Sequence, residues 1–387
     1  MRRSWLITFL SASLVLAFLT LLDGPPGVSD PAPARPAAFP ALRVTVQVPH
    51  LSLPWDVQQL PGSRYLISER DTAHLLIRRN GVTRVVGFPS SSVWVSGETG
   101  LMSLAVDPDF ATNRRIYACE GGFTASGGHD VRVVAYRMNA AYTGVRRIQV
   151  LVSGISTSTG RHGGCRLLIG SGGAMYVGTG DAAIGTNPQN LNSLAGKILR
   201  LDRMTGAPWP GNPWIHSANH NRRYVFNYGH RNVQGLAQRA DGRLWSVEQG
   251  TDRDDEINLG IRGGNFGWNP VPGYDESTPM TDQSLPGVQI NAQWSSGYPT
   301  MATCGAAWVS GKQWGSYDGT LAVATLKDSK LVFFRFTAAG RFVWKKVPVE
   351  LNGTYGRLRS VTRAHNGDLL ITTSNGTDDK VLRVSPL

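Results

Sequence analysis

From about residue 42 onward, short alternating or apolar runs recur, several of them opened by a glycine-bearing turn. Pro61-Gly62-Ser63 precedes residues 64–68, Gly172-Gly173 precedes 174–178, Asp241-Gly242 precedes 243–247 and Asn366-Gly367 precedes 368–372. A turn of this chemistry beside a run of strand length is the signal of a β-hairpin. No stretch sustains a helical period over three turns, so the pattern predicts an all-β fold. The glycines at 62, 173, 242 and 367 lie 111, 69 and 125 residues apart, which fits one or two steps of a repeat somewhat under ~65 residues. Repeated four-stranded antiparallel units imply a β-propeller, with room in residues 42–387 for six blades of about 57 residues or seven of about 49. A two-sheet sandwich is the alternative, although sandwiches rarely need so long a chain.

The first residues follow a different pattern. Arg2 and Arg3 precede an apolar run over residues 5–22, broken only by Ser and Thr, and a Gly/Pro-rich stretch follows. Residues 1–23 therefore read as an export signal, or as an N-terminal anchor if they are not cleaved. Residues 24–41 form a Pro-rich linker, and residues 42–387 a single domain on the extracytoplasmic side. Membrane association is expected only through an uncleaved anchor.

Composition narrows this picture. With 45 Gly, 22 Pro and 17% charged residues against 41% hydrophobic ones, the chain is neither disordered, collagen-like nor coiled coil. Its net charge of +12 suits an anionic ligand, an acidic surface or a nucleic acid. The basic residues are dispersed and match no nucleic-acid-binding module, so a nucleic acid is not expected as partner. The three cysteines lack metal-site spacing; in an oxidising compartment one disulfide and one spare thiol are expected. Cys119 ends one strand-like run and Cys165 begins another, which favours that pair over three unpaired thiols.

Four segments carry more polar chemistry than turns need. Arg161-His162-Gly163-Gly164-Cys165-Arg166 puts a histidine on a glycine-rich loop, where it suits general-base work or simply faces solvent. Tyr228-Gly229-His230-Arg231-Asn232-Val233-Gln234-Gly235 joins a guanidinium fork to a carboxamide directly before a strand. In Gly250-Thr251-Asp252-Arg253-Asp254-Asp255-Glu256 the crowded carboxylates demand solvent, partners or a hard cation such as calcium, in a spacing unlike an EF-hand. Lys327, with Arg357 and Arg359, forms a basic set. If residues 357 and 359 lie on one strand they share a face, which suits a ligand with several carboxylates.

Together with residues 101–110, 194–200 and 263–268, these segments resemble the soluble pyrroloquinoline-quinone (PQQ)-dependent glucose/aldose sugar dehydrogenases, in order and spacing over most of residues 54–383. The resemblance implies a six-bladed propeller, each blade a four-stranded antiparallel sheet. It implies oxidation of an aldose at C1 to the lactone, with hydride passing to PQQ and electrons to an external acceptor. His162 then corresponds to the catalytic base and Arg231 to the arginine that polarises the quinone carbonyl. Asn232, Lys327, Arg357 and Arg359 correspond to residues that hold the cofactor. Gly250 and Thr251 correspond to the carbonyl donors of a cofactor-bridging calcium, and Glu256 and Phe266 to a second, structural calcium position.

The chain also departs from the pattern. Glu98 stands at a cofactor-binding position where Gln is common, and so places a negative charge beside an anionic cofactor. Arg161 replaces an Asp, and Thr251 a Pro. Two other functions fit portions of the sequence: a calcium-dependent lactonase-type hydrolase, which has no need of the basic set, and a catalytically degenerate propeller that binds carbohydrate or protein.

Overall fold

The computed structural model describes residues 38–387; the export-type segment and residues 24–37 of the linker lie outside the described residues. Six four-stranded antiparallel sheets follow one another along the chain. Their inner strands are Pro54–Leu60, Leu101–Val106, Gly164–Ile169, Val233–Gln238, Thr303–Trp308 and Leu358–Arg363. Each of these packs on the next and the last returns to the first, closing a ring. The fold is a six-bladed β-propeller, which excludes both the sandwich and the seven-blade count. The sixth blade is completed by the N-terminal strand Leu42–Leu51, paired antiparallel with Asp379–Pro386.

The four glycine turns all occupy the same place, the hairpin between the first and second strands of blades 1, 3, 4 and 6. Each has positive φ, from +72° at Gly62 to +89° at Gly367, a conformation that costs glycine little. The spacings thus count two, one and two blade steps. Blades 2 and 5 lack the signal because their turns are longer. One contains the four-residue helix Phe110–Asn113, the other the 3-10 segment Lys312–Tyr317, which buries Trp314 and Tyr317.

The core lies between blades. Strand residues alternate so that one face meets the preceding blade and the other the next. Leu331, Phe333, Leu369, Ile371 and Leu382, for example, join blades 5 and 6 in one buried cluster. Burying each such side chain contributes about 1.5–3 kcal/mol. The inner strands run in a common direction, so their N-terminal ends, and the loops between second and third strands, gather at one mouth of the central channel. Tight hairpins line the other.

Cys119 and Cys165 form a disulfide with their Cα atoms 6.0 Å apart, linking the second strand of blade 2 to the inner strand of blade 3. Cys304 is buried and free. The bond closes a loop of 46 residues, worth about 4 kcal/mol in the chain-entropy picture. Replacing both cysteines by Ser is expected to lower the unfolding midpoint in urea by an amount equivalent to about 2–4 kcal/mol; an unchanged midpoint would show that interblade packing holds the two strands unaided.

Glu120 is buried, and both its oxygens accept from the Tyr136 hydroxyl, at 3.0 and 2.9 Å. Burial raises its pKa from 4.5 to about 7 against the opposing pull of Tyr136, Arg132 and Arg147. A raised carboxyl favours the folded state fully below the unfolded pKa and loses that contribution as pH climbs through the folded one. Stability is therefore expected to decline between about pH 4.5 and 7 through this group, and Glu120→Gln to flatten that decline in thermal melts across the range.

Candidate active site at the funnel mouth

His162 lies on the loop that enters the inner strand of blade 3, in the left-handed region at φ +52°. For a residue with a Cβ this costs about 1–2 kcal/mol, so the surrounding contacts must hold it there. The chief one is a hydrogen bond from Nδ1 to Asp181 Oδ1, at 2.8 Å, with both side chains buried. Asp181 reaches this position because the neighbouring Gly180 runs flush against His162; a Cβ on Gly180 would collide with the His162 carbonyl.

Asp181 is itself held from the other side. Trp268 Nε1 donates to Oδ2 at 2.7 Å and the Tyr274 hydroxyl at 2.6 Å, while the Ala183 amide donates to Oδ1 at 2.8 Å. Burial and the Asp181 charge raise Tyr274 well above its usual range, so it remains a proton donor. With Asp181 accepting from Nδ1–H, the lone pair of the imidazole is left on Nε2.

Trp268 and Tyr274 come from a long excursion, residues 260–293, between the third strand of blade 4, Glu256–Leu259, and its short outer strand, Trp294–Ser295. The same excursion delivers Glu276, whose carboxylate accepts 2.8 Å bonds from Arg161 Nη2 on both oxygens and a 2.5 Å bond from Arg231 Nη2. Burial pushes Glu276 up, but the two guanidinium groups outweigh it and hold the carboxyl below its ordinary value. Arg161 therefore has Glu276 as its partner, in a direct ion pair that it does not make with Glu98.

Arg231 and Asn232 enter the mouth from the loop before the inner strand of blade 4. Arg231 Nη1 donates to the Gln249 carbonyl at 3.2 Å, and its Nε is buried with no partner. Asn232 Nδ2 donates to Glu98 Oε2 at 3.1 Å, which places Glu98 at the same mouth with a neutral partner. Arg359 is buried, with only long contacts to Ser374 Oγ (3.4 Å) and Gln234 Oε1 (3.5 Å). Burial lowers its pKa, and the nearby Arg70 and Arg166 add to that.

The basic set is arranged differently from the expectation of a shared strand face. Arg357 precedes the strand and is exposed. The register shifts between Leu358 and Ser360, leaving Arg359 as the extra residue of a bulge. The bulge breaks the two-residue alternation, yet both arginines reach Ser374, Arg357 through Nε to its carbonyl at 3.1 Å. Lys327 is exposed on the loop after the second strand of blade 5, with a 3.4 Å contact to Thr300 Oγ1.

The acidic run of blade 4 is dispersed. Asp252 accepts from Thr251 Oγ1 and Asp254 from Arg253 and Ser295, while buried Asp255 accepts from the amides of Gly250, Met301 and Thr303. Gly250 and Thr251 sit on the rim loop beside them. Glu256 points elsewhere, into a buried cluster where it lies opposite Glu248 on the neighbouring strand. Asn258 Nδ2 donates to both carboxylates, at 2.8 Å to Glu248 and 3.1 Å to Glu256. Burial, and then the Glu248 charge, raise Glu256 well above the usual carboxyl range. Phe266 stacks on His230, and His230 Nδ1 meets Glu248 Oε1 at 2.8 Å. Glu248 Oε2 accepts from the Arg231 amide at 2.9 Å, so this cluster fixes the backbone of a mouth residue. Among the described residues, no three His, Cys, Asp or Glu side chains converge as a metal site.

Residues 51–383 match the model of the glucose/sorbosone dehydrogenase family. The chain belongs to this family. It is 26% identical over 363 residues to aldose sugar dehydrogenase YliI of Escherichia coli, spanning 90% of this chain and 94% of that one. It is 28% identical over 300 residues to quinoprotein glucose dehydrogenase B of Acinetobacter calcoaceticus, spanning 70% and 61% of the respective chains. The structure of the PQQ-bound form of aldose sugar dehydrogenase from Streptomyces coelicolor superposes with a TM-score of 0.74 at 29% identity, over 90% of this chain and 99% of that one.

The propeller thus brings His162, Arg231, Asn232 and Glu98 together, with Arg359 beneath and Lys327 on the rim. Asp181, Tyr274 and Glu276 escape a reading of the sequence. For Asp181 a signal existed, an aspartate closing the small-residue run Gly178-Thr179-Gly180. Removing Glu276 deprives Arg231 of its carboxylate partner. Glu276→Ala is accordingly expected to tighten binding of an anionic probe such as phthalate at the mouth several-fold, measured by calorimetry; unchanged affinity would mean that Arg231 does not face the ligand space.

Proposed function

We propose that the protein oxidises aldose sugars at C1 to the lactone, with PQQ and calcium as cofactors and an external electron acceptor. The observation that carries this reading is the buried His162–Asp181 pair beside Arg231, whose Nε has no partner. His162 is oriented by Asp181 and keeps Nε2 as the atom that takes the proton from the sugar hydroxyl, which suits a general base. Asp181 stabilises the imidazolium that results and is kept in place by Trp268 and Tyr274.

The residues present fit the cofactor. PQQ carries three carboxylates, and the mouth offers Arg231 with an orphaned Nε, Arg359 with only long contacts, and the exposed Lys327 and Arg357. Charge-assisted bonds from such groups are roughly twice as strong as neutral ones. Asn232 adds a carboxamide, and its bond to Glu98 keeps that carboxylate aligned at the edge. The carbonyls of Gly250 and Thr251 are hard oxygen donors of the kind calcium takes. At the second position, the Glu256 carboxylate with the Phe266 carbonyl would hold a cation whose charge offsets the buried Glu248–Glu256 pair. When bound, PQQ supplies the hydride acceptor, with calcium polarising its oxygen.

An extracytoplasmic location belongs to the same proposal, supported by the disulfide and the signal-like residues 1–23. Among the described residues no helix is long and apolar enough to cross a membrane.

Purified apoprotein given PQQ and calcium ions is expected to reduce a dye with one or more members of an aldose panel. Failure of both PQQ binding and dye reduction would overturn the proposal. His162→Ala is expected to lower kcat by roughly 10²–10⁴ while still binding PQQ. Asp181→Asn should lower kcat at least ~10²-fold through loss of the tautomer-fixing acceptor; retained turnover in either variant would remove the pair from the reaction.

A further inference from the structure

Beside the His162–Asp181 pair stands an ion pair whose bonding capacity is only partly used. Glu276 Oε1 accepts from both Arg161 Nη2 and Arg231 Nη2, whereas Oε2 accepts from Arg161 alone, at 2.8 Å. A carboxylate oxygen takes two such bonds, so one acceptor position on Oε2 is open. Arg161 commits only Nη2; its Nε and Nη1 make no hydrogen bond among the described residues. Both side chains reach solvent, at 44% exposure for Arg161 and 38% for Glu276, while Arg231 is only 6% exposed.

The pair is built into the site from both sides. Arg161 follows Gly160, whose carbonyl accepts from the Glu98 amide at 3.0 Å and where a Cβ would strike the Ser96 carbonyl. Glu276 sits in a turn closed by Asp275, which accepts from the Ser277 amide at 2.9 Å and from its hydroxyl at 2.7 Å. Tyr274 connects the pair to the base. The Arg161 guanidinium is 5.6 Å from its ring centroid, and that ring is 6.0 Å from the His162 ring, with the hydroxyl 3.0 Å from His162 Nδ1. An open acceptor and open donors are thus held one aromatic ring away from His162. Exposed ion pairs contribute little to stability, which leaves recognition as the use for these free positions.

We propose that Glu276 and Arg161 bind the sugar and set its specificity. Two neighbouring ring hydroxyls of the aldose bond to them, one donating to Glu276 Oε2 and the other accepting from the Arg161 guanidinium. This rests on the aldose oxidation proposed above and names the part of the substrate that the site reads. A hydroxyl both donates and accepts, so adjacent hydroxyls match a carboxylate beside a guanidinium, and each bond is charge-assisted. The substrate class is therefore aldoses that carry a vicinal diol away from C1. A deoxy sugar leaves one of the two charged groups to water.

The test is a cycle between protein and substrate, run with D-glucose and its 2-, 3- and 4-deoxy analogues on the full chain saturated with PQQ and calcium. In the native protein at least one deoxy analogue is expected to lose about tenfold in kcat/KM, a modest loss because water reaches the half-exposed pair. In Glu276→Ala that penalty is expected to fall below about threefold, since the partner of the missing hydroxyl is gone. Arg161→Met, which keeps an unbranched stem over Tyr274, is expected to remove the penalty at the neighbouring hydroxyl. Comparing ratios cancels any general effect of either variant on Arg231 or the cofactor. The same cycle, read as sugar affinity of the apoprotein by NMR titration, needs no turnover. Coupling in binding without dye reduction would overturn the oxidation and leave the pair as a sugar site. Deoxy penalties that stay the same in the variants, no deoxy penalty in the native protein, or no sugar binding at all would overturn the pair.

Discussion

The pairing of the first strand with the last is the constraint on which the molecule depends. Leu42 to Leu51 lies against Pro386 to Asp379 in antiparallel register, and the Leu42 amide also donates to Glu350 at 2.9 Å. A propeller has no single central core; each blade is stabilised by its two neighbours, and the sheet edges are short and protected only when the ring is closed. Opening it would expose the face of blade 6 that meets blade 1 and free the inner strands to splay. The mouth residues come from loops of blades 1 to 6, so their common geometry is a property of closure and of no one blade.

Within that frame, Asp181 converts architecture into chemistry. It accepts from a histidine of the same blade, from an indole and a phenol on the excursion of blade 4, and from a local amide. A carboxylate that is fully buried is costly unless its acceptor sites are filled, and here they are filled by the groups whose positions matter. The strained backbone of His162 is tolerable for the same reason, since the hydrogen bond and the close approach of Gly180 over-determine it. Glu276 has a parallel role farther out, tying Arg161 to Arg231 and so holding the excursion against the mouth.

How much of this could be read in the chain follows from the range of each signal. The hairpin glycines were legible because φ > 0 restricts residue type locally, and their spacing returned the blade step even though two blades use other turns. That His162 and the adjacent Arg231 and Asn232 meet at one mouth was legible because they sit in two dense polar loop motifs, and the Cys119–Cys165 bond because one cysteine ends a strand-like run and the other begins one. Tyr274 and Glu276 were not, since they act from an excursion of some thirty residues whose path no local pattern encodes. The pairing of Arg357 with Arg359 was misread for a related reason: a bulge inserts one residue without changing the apolar pattern that announces the strand. The acidic run of blade 4 read as crowded carboxylates in need of solvent, partners or a hard cation, and tertiary structure sends Asp255 and Glu256 to different partners.

The distribution of charge around the channel explains why the centre of so basic a protein is not simply repulsive. Arg166 and Arg359 both stack on Trp55, and a guanidinium over an indole face gains about 0.5–2 kcal/mol according to how far it is desolvated. Asp56 neutralises one of them in a buried ion pair whose other acceptor capacity is used by Ser103 and backbone amides. The remaining positive charge at the waist is thus stabilised enough to persist, yet not cancelled. A fully neutralised waist would give the channel no sign of potential, whereas one uncompensated guanidinium leaves its centre positive. One tryptophan therefore holds two like charges close together at the centre of the propeller.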